Sequence, residues 1–410
     1  MEHGKSMLLF LEVMSLLEKK LVLPDYSNKK TIPNFSSAIL QHFGVEPPFE
    51  PFPLALEDIN LKGIDKIIIF IIDALSYNAV LKLLGKGGFE HIKPDTLKKM
   101  TSVFPSTTTA ALTSFFTGVP PAQHGMLGYT LYLKEFGGLS NMIELTPMAQ
   151  ERDGLTKVGF DPMKFLPLPT IFQQLHEAGI TGYHITSKSF VNTGLSRMHS
   201  IDAHIKGVYG LGDMIEEVHH IISSGPKKSL TYVYWGLIDS YGHRYGPKSE
   251  AYMEESYWLL RALDDFFGKL RSKKTAFFIV ADHGQIETPW EKEIWWTKRE
   301  KIYDYLYALP GGEHRAMYLY THYPEELKSV ILNNWNEQLM VLNLEDAEEL
   351  NLFGGHLKKD LKSRVGELIV IPRDDYAFCF KYTGQEHSMK GRHGGLTDDE
   401  MFVPLIFLRK

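Results

Sequence analysis

The chain alternates between unbroken apolar runs of strand length and longer stretches of helical period. Lys66-Ile67-Ile68-Ile69-Phe70-Ile71-Ile72 carries no polar residue after its first position, which predicts a strand buried on both faces of a parallel sheet. Similar runs recur at Leu230 to Ile238, Ala276 to Ala281 and Phe402 to Leu408. Between them the spacing predicts helices over Ser36 to Phe43, Ala110 to Phe116, Thr170 to Ala178, Asp213 to Ile222 and Ser249 to Lys273, with a strand at Gly182 to Ile185. The long 249–273 helix is the crossover that two parallel strands require. The whole is βα alternation, and an α/β fold is expected.

Two regions depart from that rhythm. Residues 1–55 read as an N-terminal extension, with an amphipathic helix at Met7 to Leu17 and a strap from Glu46 to Pro53, where proline density forbids regular structure. Residues 56–410 form the main domain. Within it the composition loosens over about 286–386, where Trp290, Trp295 and Trp296 sit among charges. A strand at Ala316 to Thr321 and helices at Glu325 to Trp335 and Leu344 to Leu350 make this an inserted cap.

Composition narrows the function. At 410 residues, 44% hydrophobic and 23% charged, the chain has the make-up of a globular protein. A net charge of -6 without a basic block argues against a nucleic-acid duplex as partner and leaves a small molecule. No run approaches the ~18 apolar residues of a membrane span. Met7 to Leu17 is broken by Glu12 and has no small-residue cleavage site, so a cytoplasmic location without membrane attachment is expected. Cys379 is the one cysteine and stands among Tyr376, Ala377, Phe378 and Phe380, which makes it a buried strand residue. Any metal must then be held by His and carboxylates.

The chemistry gathers at strand ends. Asp73 closes the first apolar run, where ligands collect in open α/β sheets, although an acid there also suits the cap of a helix starting near Ser76. Asp239 closes another, and a turn at Gly242 brings His243 back beside it. Carboxylate and imidazole can grip one borderline-soft divalent cation. Asp282 and His283 close a third, and His393 lies between glycines, which allow close backbone approach. Ser102 to Gly118 reads as strand, elbow and helix, with Thr107, Thr108 and Thr109 at the elbow. A hydroxyl there faces the free N–H groups of a helix start, which favours an alkoxide and an incoming phosphate; plain N-capping is the alternative. Three strand-end acids, two with a nearby His, together with His393 and the hydroxyl elbow, point to a two-metal site.

The order Asp73, Phe104-Pro105-x-x-Thr108, Asp239-x-x-Gly242-His243, Asp282-His283-Gly284 and Gly391-x-His393-Gly394 resembles the alkaline phosphatase superfamily, most nearly its type I phosphodiesterase/nucleotide pyrophosphatase branch. The resemblance runs from about residue 66 to 408. It implies a three-layer, mostly parallel sheet with helices on both faces, and a hydrolase of phosphoric esters acting on a small phosphate ester or nucleotide. It implies Thr108 as nucleophile, one metal held by Asp73, Asp282, His283 and the Thr108 oxygen, and a second held by Asp239, His243 and His393. Zinc is the expected ion and manganese the alternative. The branch usually has an asparagine about twenty residues beyond the nucleophile; Tyr129 stands there and becomes the expected phosphate contact, with Asn141 as a substitute.

Aromatic residues near the motifs, Tyr129, Trp235, Tyr241 and Tyr245, favour a flat leaving group and a diester, with packing in the core as the equal alternative. A clamp by Arg315 or Arg392 would favour phosphomonoesters, phosphonates or a mutase instead. The sulfatase motif, Cys- or Ser-x-Pro-x-Arg, is absent. A metal-stabilised binding module without turnover is the non-enzymatic alternative.

Overall fold

Strand β1 (Lys66–Ile72) is the spine of the structure, a computed structural model that describes residues 21–296, 301–384 and 386–410. Every position of β1 beyond Lys66 is buried, as its unbroken apolar run requires. It is joined by β2 (Leu97–Thr101), β3 (Thr181–Ser187), β4 (Ala203–Val208), β5 (Ser229–Trp235), β6 (Thr275–Val280) and β7 (Phe402–Arg409) in the spatial order β2-β7-β6-β1-β5-β3-β4. β1 pairs in parallel with β5 and β6, and β3 with β4 and β5. β7 alone runs antiparallel to its neighbours, β6 and β2. The three-layer, mostly parallel α/β architecture is the one expected.

The helices that position the site are α1 (Ile32–His42), α2 (Tyr77–Lys86), α3 (Thr108–Thr117), α4 (Gly194–His199), α5 (Leu237–Tyr245) and α6 (Glu250–Lys269). All ten residues of α3 are buried. Its hydroxyls fit such a place because Thr113 and Thr117 donate to the carbonyls four residues back, at 2.7 and 2.6 Å. The helix stops at Gly118, with φ 73°. α1 packs directly on it: Phe35 meets Phe115 and Phe278 edge-on, and the Ser37 hydroxyl donates to the Gly118 carbonyl at 2.9 Å. The segment around residues 32–43 thus shares the main core, and the proline-rich strap is tied to it through the Phe52 N–H on the Asn34 carbonyl. The expected Met7 to Leu17 helix lies outside the described residues.

A second seven-stranded sheet, antiparallel at every pairing, draws Leu339–Asn343, Leu368–Pro372, Ala316–Leu319 and Gly311–Glu313 together with Thr130–Leu133, Gly138–Asn141 and Thr146–Pro147. The sequence reading assigns no strand to 130–147. Its strands are too short for a period to show, and the link is a single pair, Gly312 with Thr130. Among the described residues no helix is long and apolar enough to cross a membrane.

Candidate active site

Three strand ends and one helix start converge at the carboxyl edge of the parallel sheet. Asp73 follows β1. The expected alternative, that it caps the next helix, is taken by Ser76, whose hydroxyl accepts the Ala79 N–H at the start of α2. Asp73 is left free for the site. The turn after it is strained: Ala74 has φ 61°, a region costly for a residue with a Cβ. It is pinned by its N–H on Asp282 Oδ1 at 3.2 Å and by the Tyr252 hydroxyl on its carbonyl at 2.7 Å.

β5 ends at Trp235, sooner than the apolar run suggests, because Gly236 opens α5. Asp239 and His243 therefore stand four apart on one helix face, with His243 Nε2 3.2 Å from Asp239 Oδ1. No turn at Gly242 is involved. That glycine serves another purpose, since a Cβ there would lie 1.6 Å from Gln285 Oε1. Gln285 fills this space and donates from Nε2 to Asp239 Oδ1 at 2.5 Å and to its carbonyl at 3.2 Å.

The three imidazoles are held in the same way. His243 Nδ1 donates to the Gly391 carbonyl at 2.7 Å, His283 Nδ1 to the Gly284 carbonyl at 3.0 Å and His393 Nδ1 to the Ser106 carbonyl at 3.1 Å. A carbonyl only accepts, so each Nδ1 carries a proton and each Nε2 is the atom turned toward the acids, the orientation of a metal-ligating histidine. His393 Nε2 lies 3.7 Å from Asp239 Oδ1, and its ring stacks on His283 with centroids 3.9 Å apart. The His393 loop is zipped to the threonine elbow, where Ser106 pairs with Gly394. Gly394 has φ 115°, and a Cβ on it would sit 2.6 Å from Glu313.

Thr107 is the N-cap of α3 but makes no side-chain capping bond, and Thr108 is the first helical residue. Its hydroxyl lies 3.2 Å from His283 Nε2. The elbow is thus not used for capping.

The ligand atoms of Asp73, Asp282 and His283 lie within 4.8 Å of one another, and so do those of Asp239, His283 and His393. His243 adjoins the second group through Asp239. Two buried carboxylate oxygens, Asp73 Oδ1 and Asp282 Oδ2, have no hydrogen-bond partner. Burial and the carboxylates of Asp282 and Asp239 push Asp73 well above its ordinary range, and burial raises Asp282 as well. Burial opposes ionisation of Asp239 too, but His243 outweighs it and holds this carboxyl low. Buried acids crowded together at three imidazole Nε2 atoms fit divalent cations.

Tyr234 was not singled out in the sequence; its hydroxyl donates to Asp73 Oδ2. Nor was Gln285, which directly follows the Asp-His-Gly motif, nor Glu313, whose Oε2 is 3.6 Å from His393 Nδ1 and whose carboxyl burial pushes up to about 8. Only the position of Gln285 next to a motif hinted at a role. Tyr129 is 36% exposed and accepts a hydrogen bond from Asn141 Nδ2 at 2.8 Å, so the two candidate phosphate contacts hold each other. Neither lines the cleft beside Thr108, whereas Ile143 from the same hairpin does. Trp235 lines it, while Tyr241 and Tyr245 pack on each other. Arg315 and Arg392 are fully buried elsewhere. Arg315 forks onto Glu400 at 3.0 and 2.8 Å, and Arg392 binds Glu293 at 2.7 Å. Cys379 is buried in strand Ala377–Phe380, as expected, its thiol pushed up to about 12 by burial.

Fold and site together define an alkaline-phosphatase-like α/β hydrolase. The sequence matches the model of the type I phosphodiesterase/nucleotide pyrophosphatase family over residues 67–396, and the chain belongs to that family of phosphoric ester hydrolases. No curated protein matches it by sequence. Among solved structures, an inactive variant of murine ectonucleotide pyrophosphatase/phosphodiesterase 5 in complex with AMP is similar at TM-score 0.61 and 14% identity, over 83% of this chain and 87% of that one. The human protein of the same name gives TM-score 0.61 at 15% identity, over 83% and 87%. Phosphonoacetate hydrolase from Sinorhizobium meliloti 1021, in complex with phosphonoformate, gives 0.58 at 19%, over 83% and 89%.

Proposed function

We propose that this chain is a two-metal phosphodiesterase that works through a covalent threonine intermediate, with Thr108 as nucleophile. The observation that carries the reading is the Thr108 hydroxyl at the start of α3, 3.2 Å from Nε2 of His283, the residue common to both ligand groups. Asp73, Asp282 and His283 would hold one ion together with the Thr108 oxygen, and Asp239, His243 and His393 would hold the other. Zinc fits best. Such ions supply Lewis acidity that lowers the pKa of an alcohol or water and offsets charge on phosphoryl oxygens.

The residues do the rest. The start of α3 presents free N–H groups to a phosphoryl oxygen and orients the Thr108 hydroxyl for in-line attack. Attack forms the Thr108 Oγ1–P bond as the ester P–O bond breaks, and the proton the hydroxyl loses to solvent is balanced by the one the leaving oxygen takes from it. Water then cleaves the phosphothreonine, and two inversions give net retention. The buried pairs of Arg315 and Arg392 leave neither guanidinium for a monoester clamp, which favours the diester.

The test is metal analysis with turnover of bis-p-nitrophenyl phosphate and p-nitrophenyl phosphate, wild type beside Thr108→Ala. The expected outcome is diester preference, lost on chelation and reduced at least about 10³-fold by the substitution. Equal turnover by the alanine variant would end the covalent reading, and bound metal without any turnover would leave a binding module.

A further inference from the structure

The cleft at Thr108 has two lobes, and they differ in size and chemistry. The inner lobe runs along α3 into the core between β3 and α4 and has a volume of about 70 Å³. By the space one water needs, that admits roughly five water-sized groups. Leu112, Phe116, His184, Thr186, Ser196 and His199 form its walls. The outer lobe, about 400 Å³, opens past Asp73 and Asp239 to a rim of Phe190, Tyr209 and Trp235, with Tyr209 87% exposed. The lobes meet at Thr108, Ile143, Phe190 and Tyr234.

Charge is nearly absent from the walls on the side of an entering substituent. Among the described lining residues Arg152 is the one cation, and Glu144 takes its guanidinium at 3.0 Å. His184 gives Nδ1 to the Ser200 hydroxyl at 2.6 Å and His199 gives Nε2 to the Thr113 hydroxyl at 3.0 Å, so each keeps one ring nitrogen that no described residue takes up. Burial holds both imidazoles neutral, with pKa lowered to about 3. A polyphosphate chain would find one cation among the described lining residues, Arg152, and that one already on Glu144. A small hydroxyl-bearing group would find neutral hydrogen-bonding partners in the inner lobe, and a flat group would find aromatic faces in the outer one.

We infer that the substrate is a phosphodiester with two uncharged substituents of unequal size, a compact hydroxyl-bearing one for the inner lobe and a larger flat one for the outer lobe. The inference rests on the phosphodiesterase reading of Thr108 and adds the substrate class. It separates this chain's preference from nucleoside polyphosphates, in which charge extends beyond the reacting phosphorus, and from phosphonates that carry a carboxylate.

The experiment compares kcat/KM of the zinc-loaded protein on 2-hydroxyethyl p-nitrophenyl phosphate, p-nitrophenyl thymidine 5′-phosphate, ATP and phosphonoacetate. The hydroxyethyl diester is expected to lead the others at least tenfold. Thr186→Met, which fills the inner lobe, is expected to lower the ratio of hydroxyethyl diester to p-nitrophenyl phosphate turnover at least tenfold. Leu112→Ala, which enlarges it, is expected to raise the rate on phenyl p-nitrophenyl phosphate relative to the hydroxyethyl diester. Preference for the nucleotide ester, ATP or phosphonoacetate, or ratios unmoved by both substitutions, would overturn the two-lobe assignment while ester hydrolysis itself stands. Absence of turnover on every ester would overturn the phosphodiesterase reading, and this assignment with it.

Discussion

The two halves of the proposed metal centre differ in how much water reaches them. The side chains of Asp73, Asp282 and His283 are 4%, 0% and 0% exposed, whereas those of Asp239, His243 and His393 are 18%, 26% and 10% exposed. In the dry half, Asp73 Oδ1 and Asp282 Oδ2 have no hydrogen-bond partner and share the single His283 Nε2, at 3.3 and 3.6 Å. In the wet half, Asp239 is already met by His243 and Gln285. An unpartnered buried carboxylate is costly, so a cation has most to gain in the dry half. The wet half is satisfied without one and faces the solvent side, where exchange is easiest. On gradual chelation, metal content is therefore expected to pass through one ion per chain before reaching none.

The comparison breaks most severely if the support of the wet half is removed. Glu400, fully buried, accepts from the Gly395 N–H at 2.9 Å and pairs with Arg315, and so anchors the loop that carries His393. Glu400→Gln leaves the Arg315 guanidinium buried and unpaired, with an expected loss of about 3–5 kcal/mol in unfolding free energy. Burial alone would raise the Glu400 pKa, but Arg315 outweighs it and the net shift is downward. A lowered folded-state pKa contributes stability above the ordinary carboxylate range, and that contribution fades as pH falls through the folded value. The gap in Tm between wild type and Glu400→Gln should therefore narrow below about pH 4. A gap that widens in acid would contradict the pairing.

Next in size is the dry half itself. Asp282→Asn removes a ligand and a charge together, and hydrolysis is expected to fall about 10²–10³-fold, the size of losing one major electrostatic contact at a reacting centre. Metal analysis should find the remaining ion in the wet half. Loss of both ions at once would mean that the halves do not load independently.

The dry half was also the more legible in the sequence. Asp73 and the Asp282-His283 pair end apolar runs whose strands lie side by side, so a parallel sheet brings them together almost unaided. The wet half needed more. Asp239 and His243 were recognisable as a pair, but the helix that sets their spacing was hidden because β5 runs without a polar break into Gly236 and Leu237. His393 reaches the site through a loop zipped to Ser106 across nearly three hundred residues, which no local period encodes. The antiparallel sheet was the least visible, since its short strands come from both sides of the 181–280 α/β core. Arg315 and Arg392 looked like phosphate clamps because a sequence shows a cation and not its buried partner.

Gln285→Leu is a milder way to sharpen the same contrast. It keeps the side-chain volume against Gly242 but removes the donor to Asp239 Oδ1. Supporting contacts of this kind are worth about 10–100-fold in metal affinity. Titration calorimetry on the stripped protein should show the weaker of two zinc sites weakened further and the tighter one unchanged. A change in the tighter site instead would assign it to Asp239, and reverse the order of the halves.

The smallest expected effect is that of Tyr129→Phe, the position at which the branch usually has an asparagine. Its hydroxyl accepts from Asn141 Nδ2, while Asn141 Oδ1 accepts the Ile143 and Glu144 N–H groups at 3.0 and 3.1 Å. Removing the phenol oxygen leaves Asn141 anchored by its other end, so the cost is one half-exposed hydrogen bond, about 1 kcal/mol of stability or less. Because Tyr129 does not line the cleft at Thr108, kcat/KM for a diester should stay within about threefold of wild type, one net hydrogen bond at most. A fall of tenfold or more with unchanged Tm would show that this hydroxyl meets the phosphate after all, and that the water-facing side of the centre moves on substrate binding.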